Sequence, residues 1–108
     1  MRIYVAGPYT IGDQALNVRR AIVVATQLLD AGHAPYVPHL THFWHLLRPR
    51  QYETWLKLDF EWLAQADMLL RLQGKSAGAD REVAEAERLK IPVVYSLDAI
   101  LGYGEGHE

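Results

Sequence analysis

Met68-Leu69-Leu70 is a short apolar run that ends in a polar, small-residue turn, residues 74–78 (GKSAG), and then enters a segment of helical character carrying Glu82 and Glu85. A buried strand feeding a glycine-rich loop and a helix N-terminus constrains the chain strongly. This is the unit from which open parallel α/β sheets are built, and it is where they place ligands.

The remaining segments fit the same unit. Residues 2–6 (RIYVA) read as a buried central strand stopped by Gly7-Pro8-Tyr9-Thr10. A helix from Gln14 follows, with Ala15, Val18, Ala21, Ile22, Ala25, Leu28 and Leu29 at helical spacing and Gly32 closing it. Residues 34–37 form a second strand, and the prolines at 35 and 38 assign it to a sheet edge. A histidine- and aromatic-rich stretch, residues 39–47, reads as a loop or short helix lining the crevice. Helices are expected over 51–65, 78–89 and 97–101, with strands over 67–72 and 93–95.

The predicted architecture is α/β: a small open doubly wound parallel sheet of four or five strands, Rossmann- or flavodoxin-like, with helices on both faces. Residues 1–108 are expected to form one domain, with residues 102–108 (GYGEGHE) a flexible tail. The net charge of -2, with scattered charges, argues against a nucleic-acid polymer as partner. The absence of cysteine excludes disulfide and thiol chemistry. The opening residues do not read as a signal peptide, because Gly7-Pro8 breaks a short apolar run. No run is long enough to cross a bilayer, so a cytoplasmic protein without membrane association is expected. Small size and the aromatics Trp44, Trp55 and Trp62 suggest a homodimer or higher homo-oligomer.

Three segments converge on the predicted crevice: residues 7–10, 39–45 and 74–82. Glu82 lies near a helix N-terminus, where it serves either as a site carboxylate or as an ordinary dipole-complementing acid, as Asp80 does. Asp59 is the best available second carboxylate, and the pair suits chemistry on a glycosidic bond. Asp67 reads equally well as a turn former. Gly7, Ser76 and Gly78 offer backbone amides to a phosphate or sugar hydroxyl, and Arg19 and Arg81 offer charge. There is neither a Walker pattern nor GxGxxG. His39, His42 and His45 recur every third residue, a spacing weighed for a metal and set aside for want of a further ligand. Phe43 and Trp44 either stack a base or cover the core.

The same residues carry a family resemblance. Tyr4-Val5-Ala6-Gly7-Pro8-Tyr9 resembles the first strand and loop of the nucleoside 2-deoxyribosyltransferase superfamily. Residues 59–67 (DFEWLAQAD) resemble the helix-to-strand segment of its 2'-deoxynucleoside 5'-monophosphate N-glycosidases. Residues 76–86 (SAGADREVAEA) are similar to the superfamily's Ser-x-Gly-x-x-x-Glu signature, with Ala84 where glycine is usual. Small uncharacterised bacterial and phage proteins share the same cast. The resemblance implies that Glu82 attacks C1' of the sugar or stabilises its oxocarbenium ion, that Asp59 assists, and that Tyr9 orients Glu82. It further implies that Ser76 and Gly78 contact a 5'-phosphate, with Arg19 near it; from the residues themselves, Gly7 and Pro8 are expected at the substrate, Phe43 or Trp44 at the base, and His39, His42 or His45 at base or phosphate. Asp80 counts against a monophosphate unless Arg81 or Arg19 offsets it. The partner implied is a small nucleoside or nucleotide, with no cofactor and no metal. The alternative is a non-catalytic nucleotide-binding or sensing domain on the same fold.

Overall fold

β1 (Arg2–Ala6), α1 (Gln14–Asp30), β2 (Ala34–Tyr36), α2 (Thr41–Leu47), α3 (Tyr52–Leu63), β3 (Met68–Arg71), α4 (Ala77–Arg88), β4 (Val93–Val94) and α5 (Asp98–Glu105) follow one another in a computed structural model that describes residues 1–105. The four strands are all parallel and lie in the order β2-β1-β3-β4. The chain winds outward from β1 in one direction to β2 and in the other to β3. The crevice of such a sheet therefore opens above the carboxyl ends of β1 and β3.

Strand alternation sorts the core into two faces. Ile3 and Val5 pack with Leu28 of α1, Leu70 of β3 and Ile100 of α5. Tyr4 and Ala6 point the opposite way, against Leu63 of α3, Leu69 of β3, and Ala79 and Ala86 of α4. Helices thus cover both faces, as the sequence predicts. β2 sits at the edge with Pro35 opposite Ile3 of β1, and β4 is the other edge, only two residues long.

Local chemistry sets the boundaries. The Asp13 side chain accepts from the Leu16 amide and caps α1, and Ser76 does the same for α4 through the Ala79 amide. Asp67 accepts from the Arg2 amide at 2.8 Å, which ties the entry of β3 to that of β1 and gives this acid a structural use. Pro38 begins a short 3₁₀ turn, Pro38–Leu40, that runs into α2, so the histidine-rich stretch is helical. The last helix extends to Glu105 instead of stopping at Leu101, and residues 106–108 of the expected tail lie outside the described residues. Among the described residues no helix is long and apolar enough to cross a membrane.

Candidate active site

Above the carboxyl ends of β1 and β3 lies a cavity of about 700 Å³, within the range of small-molecule sites. Its floor holds Glu82 and Asp59, two carboxylic acids that are 7% and 8% exposed. Glu82 projects from the second turn of α4, and Asp59 from α3, which packs beside α4. Burial pushes the Glu82 carboxyl up to about 8. Its hydrogen bond from Tyr4 opposes that rise, the neighbouring Asp59 adds to it, and Arg71 reduces it. Burial likewise pushes Asp59 up to about 7, against the hydrogen bond from Tyr36.

Two tyrosines hold these acids. Tyr4 and Tyr36 are register partners on the adjacent strands β1 and β2, and their rings stack with centroids 5.5 Å apart. The Tyr4 hydroxyl donates to Glu82 Oε2, and the Tyr36 hydroxyl donates to Asp59 Oδ1 at 3.3 Å. Trp62 stacks on the outer face of Tyr36 at 5.7 Å. Burial, with the negative charges nearby, raises both phenols well above the usual tyrosine range, so each remains a donor.

The loop before α4 is fixed by Arg71, the last residue of β3. Its buried guanidinium donates to the Leu72 and Gly74 carbonyls and to Asp80 Oδ1 at 3.0 Å. The charge of Asp80 is therefore offset by Arg71, and not by Arg81 or Arg19 as the sequence suggests; Arg81 pairs with Glu53 instead. Gly74 sits at φ +121°, and a Cβ there would lie 2.6 Å from Pro8 Cγ, so the loops after β1 and β3 nest together. Gly78 is required for a different reason: a Cβ would meet the Tyr52 hydroxyl at 2.7 Å. Tyr52 thus closes over the start of α4, beneath the Arg81 guanidinium at 5.7 Å from its ring.

Of the residues singled out from the sequence, Gly7, Tyr9, His39, His42, Asp59, Ser76, Gly78 and Glu82 line this cavity. Four others do not. Arg19 is exposed on α1 outside the lining, and the cations at the cavity are Arg50 and Arg81. Phe43 and Trp44 lie on the solvent side of α2, 55% and 54% exposed, with Trp44 packed on Trp55 at 5.0 Å. Pro8 is buried behind the lining, its carbonyl accepting from His39 Nε2 at 3.0 Å. Tyr9 does not reach Glu82; it lies past the end of β1, and its hydroxyl pairs with His42 Nδ1 at 2.6 Å. The position expected of Tyr9 is filled by Tyr4, inside the strand. Ser76 spends its hydroxyl on capping α4. Among the described residues no group of three His, Asp or Glu side chains is arranged to hold a metal ion.

A family profile described as a domain of unknown function (DUF7768) matches residues 1–96. The chain belongs to that family. No curated protein matches it. Among solved structures, this DUF7768 chain is similar to a 2-deoxyribosyltransferase from the psychrotolerant bacterium Bacillus psychrosaccharolyticus, described as a biocatalyst for synthesis of antiviral and antitumoral nucleosides. The two share 25% identity with a TM-score of 0.63, over 86% of this chain and 69% of the other.

Several groups of the DUF7768 site were not singled out from the sequence: Tyr4, Tyr36, Tyr52, Arg50, Arg71 and Asn17. Strand periodicity places Tyr4 and Ala6 on one face and was a sufficient signal for Tyr4. Asn17, buried on α1, donates to the Tyr9 and Ile11 carbonyls at 3.0 and 2.8 Å and pins the β1–α1 loop. Nothing local in the sequence marks that bond.

Proposed function

We propose that this protein cleaves or transfers the N-glycosidic bond of a nucleoside, in deoxy form or as its 5'-monophosphate, with Glu82 as nucleophile and Asp59 as acid–base group. The observation that carries the reading is the pair of buried carboxyls, each with its own tyrosine donor, in one cavity. The likeness to a 2-deoxyribosyltransferase supports glycosyl transfer as the reaction class. Tyr4 and Tyr36 are register partners with rings 5.5 Å apart, so the acids they hold are neighbours, as the two carboxyls of double-displacement glycosidases are.

In the reaction, a Glu82 carboxylate oxygen bonds to the anomeric carbon as the carbon–nitrogen bond breaks. Its electron pair leaves on the base, and Asp59 delivers the proton that the base takes up. Water or a second base then attacks the anomeric carbon, Asp59 recovers a proton, and the Glu82 ester is released. Between about pH 7 and 8 the pair holds one proton, which rests mostly on Glu82, so the reactive form is the minor one with the proton on Asp59 and Glu82 ionised. The Tyr4 hydroxyl favours the ionised form of Glu82. Charge developing on the sugar favours it further.

The second reading, a non-catalytic nucleotide-binding domain, draws on the elevated Glu82 carboxyl, which when protonated is a neutral partner for sugar hydroxyls. Base release measured by chromatography, from nucleosides and deoxynucleoside monophosphates with and without an acceptor base, separates the two. The glycosidic reading expects base release by the wild type and at least ~10²-fold less from E82Q. No turnover across the panel, with wild type and E82Q binding the same ligand, refutes it in favour of the binder. A homodimer is part of the proposal, supported by the exposed apolar residues of α2, and sedimentation tests it.

A further inference from the structure

His45 is the one histidine of the wall whose tautomer is dictated by two donors. Its Nδ1 faces the indole Nε1–H of Trp55 at 2.8 Å and the backbone N–H of Arg50 at 3.2 Å. Neither group can accept, so Nδ1 carries the lone pair and the ring proton is on Nε2. The ring packs edge-on against Trp55, with centroids 6.0 Å apart, which fixes its orientation. His45 lines the cavity, and its Nε2 is not among the buried polar atoms left without a partner. The neighbouring histidines differ. His42 pairs with a phenol that can donate or accept, and His39 is buried with Nε2 committed to the Pro8 carbonyl.

Arg50 also lines the cavity, its backbone N–H beside His45, and among the described residues no carboxylate lies within ion-pairing distance of it. Arg50 precedes α3, whereas Asp59 lies seven residues beyond the first residue of that helix. At the α-helical rise, Asp59 lies about 10 Å along the axis from the start of α3. His45 and Arg50 therefore form a donor-bearing part of the wall at the start of α3, and Asp59 lies further along the same helix.

We propose that His45, oriented by Trp55, is a specificity-determining donor that together with Arg50 binds an electron-rich oxygen at the end of the ligand remote from its glycosidic carbon. This rests on the glycosidic reading for the ligand's placement. The oxygen belongs either to a base carbonyl or to a phosphate; the chemistry the site selects is the same. A ligand presenting an N–H or amino group there meets two donors and is rejected.

The test uses the full chain labelled with ¹⁵N-histidine, observed by long-range ¹H–¹⁵N correlation. Deoxyuridine, with a keto base and no phosphate, and 2-deoxyribose 5-phosphate are each titrated in. The expected result is a single Nε2–H tautomer of His45 whose signals move with at least one probe. Movement with deoxyuridine alone identifies a base carbonyl, and with the sugar phosphate alone a phosphate. H45F weakens that probe about tenfold, and H45Q, which keeps an N–H near the Nε2 position, restores most of the affinity. W55F brings up the second tautomer and raises KM with little change in kcat. An Nδ1–H or averaged tautomer in the wild type overturns the proposal, as does failure of both probes to move the His45 signals. Base release by H45F with an unchanged KM overturns the subsite and leaves the reaction standing. Absence of base release with the His45 shifts intact overturns the reaction and leaves the subsite.

Discussion

Replacing Glu82 by glutamine is expected to stabilise the fold at neutral and alkaline pH while removing activity. In the folded chain the Glu82 carboxyl titrates near 8, whereas in the unfolded chain it titrates near the usual 4.5. Between those values the native state holds a proton that the unfolded state has released, so stability falls as pH rises through the window. A displacement of that size is worth at most about 5 kcal/mol at alkaline pH, and the slope is about 1.4 kcal/mol per pH unit while it operates. Asp59 acts in the same direction from about 3.8 to 7. E82Q removes the Glu82 share alone, because glutamine cannot ionise and its carbonyl still accepts from Tyr4. Allowing for relaxation of the site, wild type should lose about 1–3 kcal/mol more than E82Q between pH 5 and pH 7, roughly 5–15 °C in Tm for a domain of this size. Urea and thermal unfolding at pH 5, 6, 7 and 8 measure this directly. Parallel curves for the two proteins would refute the claim that burial holds Glu82 protonated.

Removing the hydroxyl in Y4F takes away the bond that lowers Glu82, so the upper limb of the pH–rate profile should move to higher pH and kcat should fall ~10-fold or more. G78A should displace Tyr52 and reduce both stability and affinity. The double variant G78A/Y52F should recover stability, because without the hydroxyl the nearest ring carbon is 3.8 Å from the new methyl; calorimetry on the pair checks this. R71M should cost about 2–3 kcal/mol in urea unfolding by stranding the Leu72 and Gly74 carbonyls, whereas D80N, at the exposed end of that pair, should cost under about 1 kcal/mol.

Strand and helix order were readable because hydrophobic period and glycine or proline punctuation act locally: Pro35 marked an edge strand, and Ser76 with Gly78 marked the start of α4. Glu82 and Asp59 were readable from the same segments, their placement in one cavity following from parallel connections. The tyrosine contacts were harder. Tyr9 stands in the loop after β1, yet its ring lies beyond the strand end and meets His42, while Tyr4 is directed at Glu82 by the strand's two-residue period. Arg71 ends an apolar run and reads as a strand terminus; its three acceptors are set only when the loop folds back. The partners of His45 depend on the turn between α2 and α3, where Pro49 leaves the path of the chain unspecified by periodicity.

The two edges of the sheet bear on how this protein could meet another chain. Pro35 removes an amide from β2, and β4 offers only two residues of ladder before the chain turns away. Neither side presents the long row of free donors and acceptors on which a second chain could add a strand. Association by a continuous sheet across two molecules is thereby disfavoured, as is templated β-aggregation. Any contact between copies would fall instead to side chains on the helical surfaces, where substitution can tune it without disturbing the backbone hydrogen bonds that hold the sheet together.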